Sequence, residues 1–223
     1  MDAALIGSIY FISNTGNPIK MATEIISWIP VVLIMLTASA ILVNRDWRIR
    51  LGALAVQYGA AFWLISRHLP FVMGSAKLIT GWMVVAALGM TCLGLPETQE
   101  EKGNSSLPRG NWFRITFIFI IALGTAGATP RIESAIPGLG FPLIAGSLFL
   151  IGVGAIHLGM TSDTLNAILG LLTLLTGFEI LYSAIESSIL VSGLLAATNL
   201  GLGITGSYLL TAGTMPAEME DEP

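Results

Sequence analysis

The chain has 223 residues, 54 % of them hydrophobic and 11 % charged, with a net charge of −4 and a mean hydropathy of +0.80. A soluble domain carries about 25 % charged residues to wet its surface, so 10 Lys+Arg and 14 Asp+Glu are too few for a water-facing protein, and the chain reads as integral to a membrane. One cysteine excludes a disulfide scaffold, and the net acidity excludes a basic nucleic-acid binder.

From the N-terminus, Met1 to Lys20 holds an apolar patch, Ala3 to Ile12, that is too short to span and lacks the positive start of a signal peptide. It is expected along the interface or packed on the bundle. The first span follows, from the 20 uncharged residues between Ile25 and Asn44. A helix rising 1.5 Å per residue needs about 20 residues to cross roughly 30 Å of hydrocarbon. The loop Asn44-Arg-Asp-Trp-Arg-Ile-Arg50 then separates it from a shorter apolar run. Leu78 to Pro96 gives 19 more uncharged residues, and the polar stretch from Glu97 to Gly110 ends the first half. Beyond it, Ser134 to Asp163 has no charge before its last residue, His157 aside, and Ser187 to Ala217 has none.

These gaps predict an all-α polytopic bundle of about seven transmembrane helices, at 22–43, 51–67, 70–95, 112–129, 141–160, 164–185 and 188–212. Six to eight helices fit the same pattern, since the second and fourth runs are short. Strands are excluded, because polar and apolar residues do not alternate as a barrel requires. The chain divides into a three-helix part (1–95), a polar cytoplasmic linker (96–111), a four-helix part (112–214) and an acidic tail (215–223). Arg45, Arg48 and Arg50, with Lys102, Arg109 and Arg114, put six positive charges on one side against Lys20, Arg67 and Arg131 on the other. The positive-inside rule then places the N-terminus out and the C-terminus in. Trp28, Trp47, Trp63 and Trp112 fall near span ends, as interfacial belts do. Cys92, in an apolar run, reads as a small hydrophobe.

No phosphate loop, dinucleotide fingerprint, His-Glu-x-x-His or CxxC pair occurs. Two separated histidines and one cysteine build no metal or haem site. The chain is therefore expected to hold no catalytic residue, metal or cofactor of its own. What remains is a few ionisable groups within spans, each costing roughly 2.5–3.5 kcal/mol at a helix centre.

Glu179, in Leu171-Leu-Thr-Leu-Leu-Thr-Gly-Phe-Glu-Ile-Leu-Tyr182, is the sharpest. Desolvation disfavours the charged carboxyl, which is the property a proton relay uses; a hydrogen-bonded packing role is the alternative. Lys77 either snorkels to the interface or is buried against a carboxylate, with Glu179 the candidate in this chain. Glu186 lies about 11 Å further along if the helix continues, but Ser187-Ser188 suggests a turn that leaves it a solvated end. His157 reads first as a packing residue and second as a relay. Glu24 suits a helix start by the dipole alone. Small residues at helical spacing, Gly193, Ala197 and Gly201, and Thr173 with Gly177, allow close helix packing, with partners in the same chain or another.

The stretch from Leu165-Asn-Ala-Ile-Leu-Gly170 through Gly177-Phe-Glu-Ile-Leu-Tyr182 to Ala196-Ala-Thr-Asn-Leu-Gly-Leu-Gly-Ile204 resembles the K-type membrane subunit of respiratory complex I and the C-type subunit of multisubunit cation/proton antiporters. Glu179 matches the first of that family's two glutamates. Asn199, which is uncharged, holds the place of the second. The longer chain, its Arg-rich loop and Lys77 resemble the E-type membrane subunit of group 4, formate-hydrogenlyase-type hydrogenases. Together the resemblances cover Arg45–Pro96 and Asp163–Tyr208.

They imply a non-redox subunit of a proton-translocating oxidoreductase or hydrogenase in the inner (plasma) membrane, partnered by antiporter-like subunits. Glu179 would lie on a central polar axis, with Lys77 its charge partner or the next relay. A site with one carboxylate passes protons to a neighbour rather than pumping alone. Two other readings stay open, a scaffold subunit without ion conduction and a free-standing small transporter. Transporters of that kind usually show repeated halves, and none is visible here.

Overall fold

The computed structural model describes residues 18–67, 71–95, 111–161, 163–185 and 188–213. Among them are seven helices: α1 (Pro18–Val43), α2 (Trp47–Ile65), α3 (Phe71–Gly94), α4 (Asn111–Ala135), α5 (Phe141–Gly159), α6 (Thr164–Ile185) and α7 (Ile189–Ala212). All but α2 are long and apolar enough to cross a membrane. The protein is a helical bundle of the multi-pass membrane type. The segment before Pro18, the linker to Gly110 and the tail from Thr214 lie outside the described residues.

The helix boundaries have local causes. Pro18 opens α1, at the position where a missing N–H costs nothing. Asp46 opens α2 only three residues after α1 ends, its carboxylate accepting the Arg48 N–H at 3.0 Å. The helix α4 runs six residues past the predicted 129, through Pro130 to Ala135. Its last turn carries Glu133, whose carboxylate accepts the N–H groups of Gly138 (3.3 Å) and Gly140 (3.0 Å). Both glycines have positive φ, 100° and 84°, which a residue with a Cβ adopts only at a cost. That turn reverses the chain into α5.

The helices stand side by side. At one end, Arg50 of α2 bonds Asn166 of α6 and Arg114 of α4 bonds the Leu42 carbonyl of α1. At the other, Arg67 after α2 bonds Ser27 of α1. Nineteen residues at 1.5 Å give α2 a length of about 28 Å, so it runs the height of the bundle although it alone of the described helices lacks an apolar stretch typical of a membrane span. It can be polar because it is central, packed on α1, α3 and α6.

Two apolar clusters form the core. One joins Val31 and Ile34 of α1, Ala60 and Leu64 of α2, Phe149 of α5 and Ile180 of α6. The other joins Ile41 of α1, Leu51 and Leu54 of α2, Val84 and Leu88 of α3, and Leu172 of α6. Along α2 and α6 one cluster gives way to the other around residues 57–60 and 173–179.

Glycines set the closest approaches. A Cβ on Gly154 would lie 2.6 Å from the Leu174 nitrogen, and one on Gly177 would lie 2.8 Å from the Ser147 carbonyl oxygen. These bring α5 and α6 into backbone contact. On α7 the row that packs within this chain is Gly203 against Val84 and Gly206 against Ile168, not Gly193, Ala197 and Gly201. Those three are exposed, because Asn199, Gly203 and Gly206 share the opposite face, and that face turns inward.

Candidate functional site

At the change-over between the two clusters, four helices each contribute a polar side chain. Helix α6 brings Glu179, α7 Asn199, α2 Tyr58 and α3 Lys77; exposures of 3, 1, 4 and 6 % leave each of them buried. Tyr58 reaches this point because Gly81 lacks a side chain. The tyrosine ring lies 2.6 Å from where a Gly81 Cβ would be, so α2 and α3 come together there.

The groups form a chain. The Tyr58 hydroxyl donates to Asn199 Oδ1 at 3.3 Å, and Asn199 Nδ2 donates to Glu179 Oε1 at 3.1 Å. Thr176, one turn before Glu179, comes within hydrogen-bonding reach of the Tyr58 hydroxyl, while its own hydroxyl donates to the Leu172 carbonyl at 2.7 Å. Lys77, one turn before Gly81, lies in the electrostatic field of Glu179. Its Nζ makes no hydrogen bond among the described residues. The same is true of both amide atoms of Gln57, the neighbour of Tyr58, and of the Thr173 hydroxyl.

Two sequence-derived candidates, Glu179 and Asn199, therefore meet at mid-bundle, and a third, Lys77, is buried within the field of Glu179. His157 does not join them. It is buried near the end of α5, beside Asn166 and in the field of Arg50 and Arg114. Asn166 precedes Glu179 by 13 residues on α6, about 20 Å of helix. Glu186 lies outside the described residues. No group of three His, Cys, Asp or Glu side chains suited to a metal ion occurs among the described residues.

The end that holds His157 has its own network. Arg50 is buried; its Nε donates to the Asn44 carbonyl at 2.7 Å, one Nη to the Arg45 carbonyl at 2.7 Å and the other to Asn166 Oδ1. Asn166 Nδ2 in turn donates to Asp163 at 3.1 Å. Arg114 donates to the Leu42 carbonyl at 2.6 Å. These arginines tie the α1–α2 turn to α4 and α6. Trp28 and Trp63 are exposed at the opposite end, and Trp112 is exposed at this one. Trp82 lies halfway up α3, where its indole N–H finds the Ala55 carbonyl at 3.2 Å.

Sequence reasoning passed over Tyr58, Gln57 and Thr176. The available signal was a polar pair, Gln57-Tyr58, at the centre of the apolar run 51–67. Compared with family models, with characterised proteins and with solved structures, the chain matches none.

Proposed function

We propose that this protein is a non-redox subunit of a proton-translocating membrane complex, with Glu179 carrying the proton and Lys77 acting as its charge partner. The observation that carries the reading is the buried carboxylate at mid-bundle, bonded to Asn199 and within the field of a buried lysine. Ionisable groups are expensive in hydrocarbon and cluster on ion paths when they persist there. The hydrogen-bond chain also assigns roles. An amide does not give up its proton at accessible pH, so the Tyr58–Asn199 arm cannot conduct; it holds Glu179 in place. Lys77, Gln57 and Thr173, whose polar atoms have no hydrogen-bond partner among the described residues, are in this reading the candidates to pass protons to and from the carboxyl. The reading includes an inner-membrane location, N-terminus out and C-terminus in, and assembly with antiporter-like subunits of an oxidoreductase or hydrogenase.

One observation equally favours a scaffold subunit. The Asn199–Glu179 bond links α6 to α7 and would lock packing without conducting anything. Two experiments separate these readings. Purification of the tagged chain in mild detergent, with mass spectrometry of what accompanies it, should recover antiporter-like and iron–sulfur or hydrogenase-like subunits; a partnerless monomer or homodimer contradicts membership in such a complex. Glu179→Gln should then abolish proton flux while the complex still assembles. As a scaffold, the chain would tolerate Glu179→Gln almost silently, whereas Glu179→Leu or Lys77→Leu would impair assembly.

A further inference from the structure

At the arginine end the bundle opens into a pocket of about 610 Å³, bounded by the α1–α2 turn, the end of α3, the start of α6 and the end of α7. That volume lies in the range of small-molecule sites, and the walls are of two kinds. Arg45, Arg48 and Arg50 form a cationic side, and Leu93, Leu165 and Leu209 an apolar one. Among the described residues the carboxylates in the wall are Asp46 and Asp163, so three positive charges there face two negative ones. Both aspartates already accept hydrogen bonds, Asp46 from the Arg48 N–H and Asp163 from Asn166. Arg50 is committed to the Asn44 and Arg45 carbonyls and to Asn166. Arg45 and Arg48 are exposed, and Arg48 lies over the Trp47 ring at 5.3 Å, which holds its guanidinium at the pocket wall.

A net positive lining selects an anion. The leucine side gives a bare inorganic ion nothing to bind, but it suits the first carbons of an acyl chain. The pocket also sits at the level of the helix ends, where the headgroups of a bilayer lie against membrane helices. We propose that this pocket binds the phosphate headgroup of an anionic phospholipid, with Arg45 and Arg48 as the ligands of the phosphate. The inference does not depend on the role of Glu179.

Native mass spectrometry of the full-length protein in mild detergent tests it, with dioleoylphosphatidylglycerol, dioleoylphosphatidylcholine and glycerol 3-phosphate as probes. The phosphatidylglycerol should stay bound where the phosphatidylcholine and glycerol 3-phosphate do not. The double variant Arg45→Gln/Arg48→Gln should bind phosphatidylglycerol about 30-fold more weakly, at about fivefold per basic residue. The Arg45→Lys/Arg48→Lys variant should retain most of the affinity, and the single Arg48→Gln variant serves if the double one does not fold. Equal retention of the two lipids, or unchanged binding by the glutamine variants, overturns the proposal. Glycerol 3-phosphate bound as tightly as the lipid overturns it in favour of a soluble phosphate compound. Binding of phosphatidylglycerol only after removal of residues 214–223 also overturns it, making the acidic stretch Glu218 to Glu222 the occupant.

Discussion

The middle of the bundle and its arginine end are both polar, yet they satisfy their polar groups by different means. At the end, α1 runs out at Val43 and leaves carbonyls without helical partners, as every helix terminus does. Arg50 takes those of Asn44 and Arg45, and Arg114 takes that of Leu42. At the middle the backbone carbonyls are already engaged within helices; Thr176 and Trp82 share those of Leu172 and Ala55, while the larger polar groups depend on other side chains. Glu179, Asn199 and Tyr58 find one another; Lys77 Nζ and the Gln57 amide find no hydrogen-bond partner among the described residues. At the helix end the arginines are accounted for by the carbonyls they take, although His157 Nδ1 there also finds no hydrogen-bond partner among the described residues. At mid-bundle the groups left without a hydrogen-bond partner include an ionisable one, Lys77, which is costly within a membrane span.

Substitutions sharpen this contrast. The largest effect should come from Gly154→Leu, which removes both regions at once. Its side chain would intrude on the Leu174 backbone, forcing α5 and α6 apart, and the expected outcome is loss of the monodisperse peak in size-exclusion chromatography. Next is Glu179→Leu, which strips Asn199 Nδ2 of its acceptor and Lys77 of its counter-charge. It should cost about 1–3 kcal/mol, read as lowered thermal stability in detergent. Glu179→Gln keeps an oxygen for Asn199 and should stay within about 1 kcal/mol of the parent. A Gln variant as unstable as the Leu variant would mean that the charge, not the hydrogen bond, holds the middle together.

Arg50→Met should cost less than Glu179→Leu, about 1 kcal/mol, because water at the bundle end can replace the lost donors. If it cost more, the end would be as dry as the middle and the comparison would fail. His157→Gln should have the smallest effect, leaving proton flux unchanged in a vesicle assay, since about 20 Å of helix separates its neighbour Asn166 from Glu179.

Much of the fold was legible because charge-free gaps of membrane length are a one-dimensional signal. Four of the seven helices end within two residues of where the gaps place them at both ends; α1 and α2 instead begin four residues early, and α4 continues past Pro130 to Ala135. Glu179 and Lys77 stood out because charge inside an apolar run is rare. Tyr58 and Gln57 did not, since uncharged polar residues occur on any helix and only packing shows which face is buried. The inward face of α7 was equally hidden. Gly193, Ala197 and Gly201 make as regular a row as Gly203 and Gly206, and the choice between them is made by Val84 and Ile168 on other helices. Asn199 was visible as a departure from a two-glutamate pattern, but its bond to Glu179 depends on the approach of α6 to α7.

The most direct test of the central claim compares proton flux through the assembled complex in inverted membrane vesicles carrying Glu179→Asp, Glu179→Gln or the parent residue, with assembly checked in each. The account predicts flux that is reduced but present with aspartate, which still exchanges a proton, and absent with glutamine, which cannot. Full flux in a properly assembled Glu179→Gln complex would contradict it and leave the Tyr58–Asn199–Glu179 chain as a packing device.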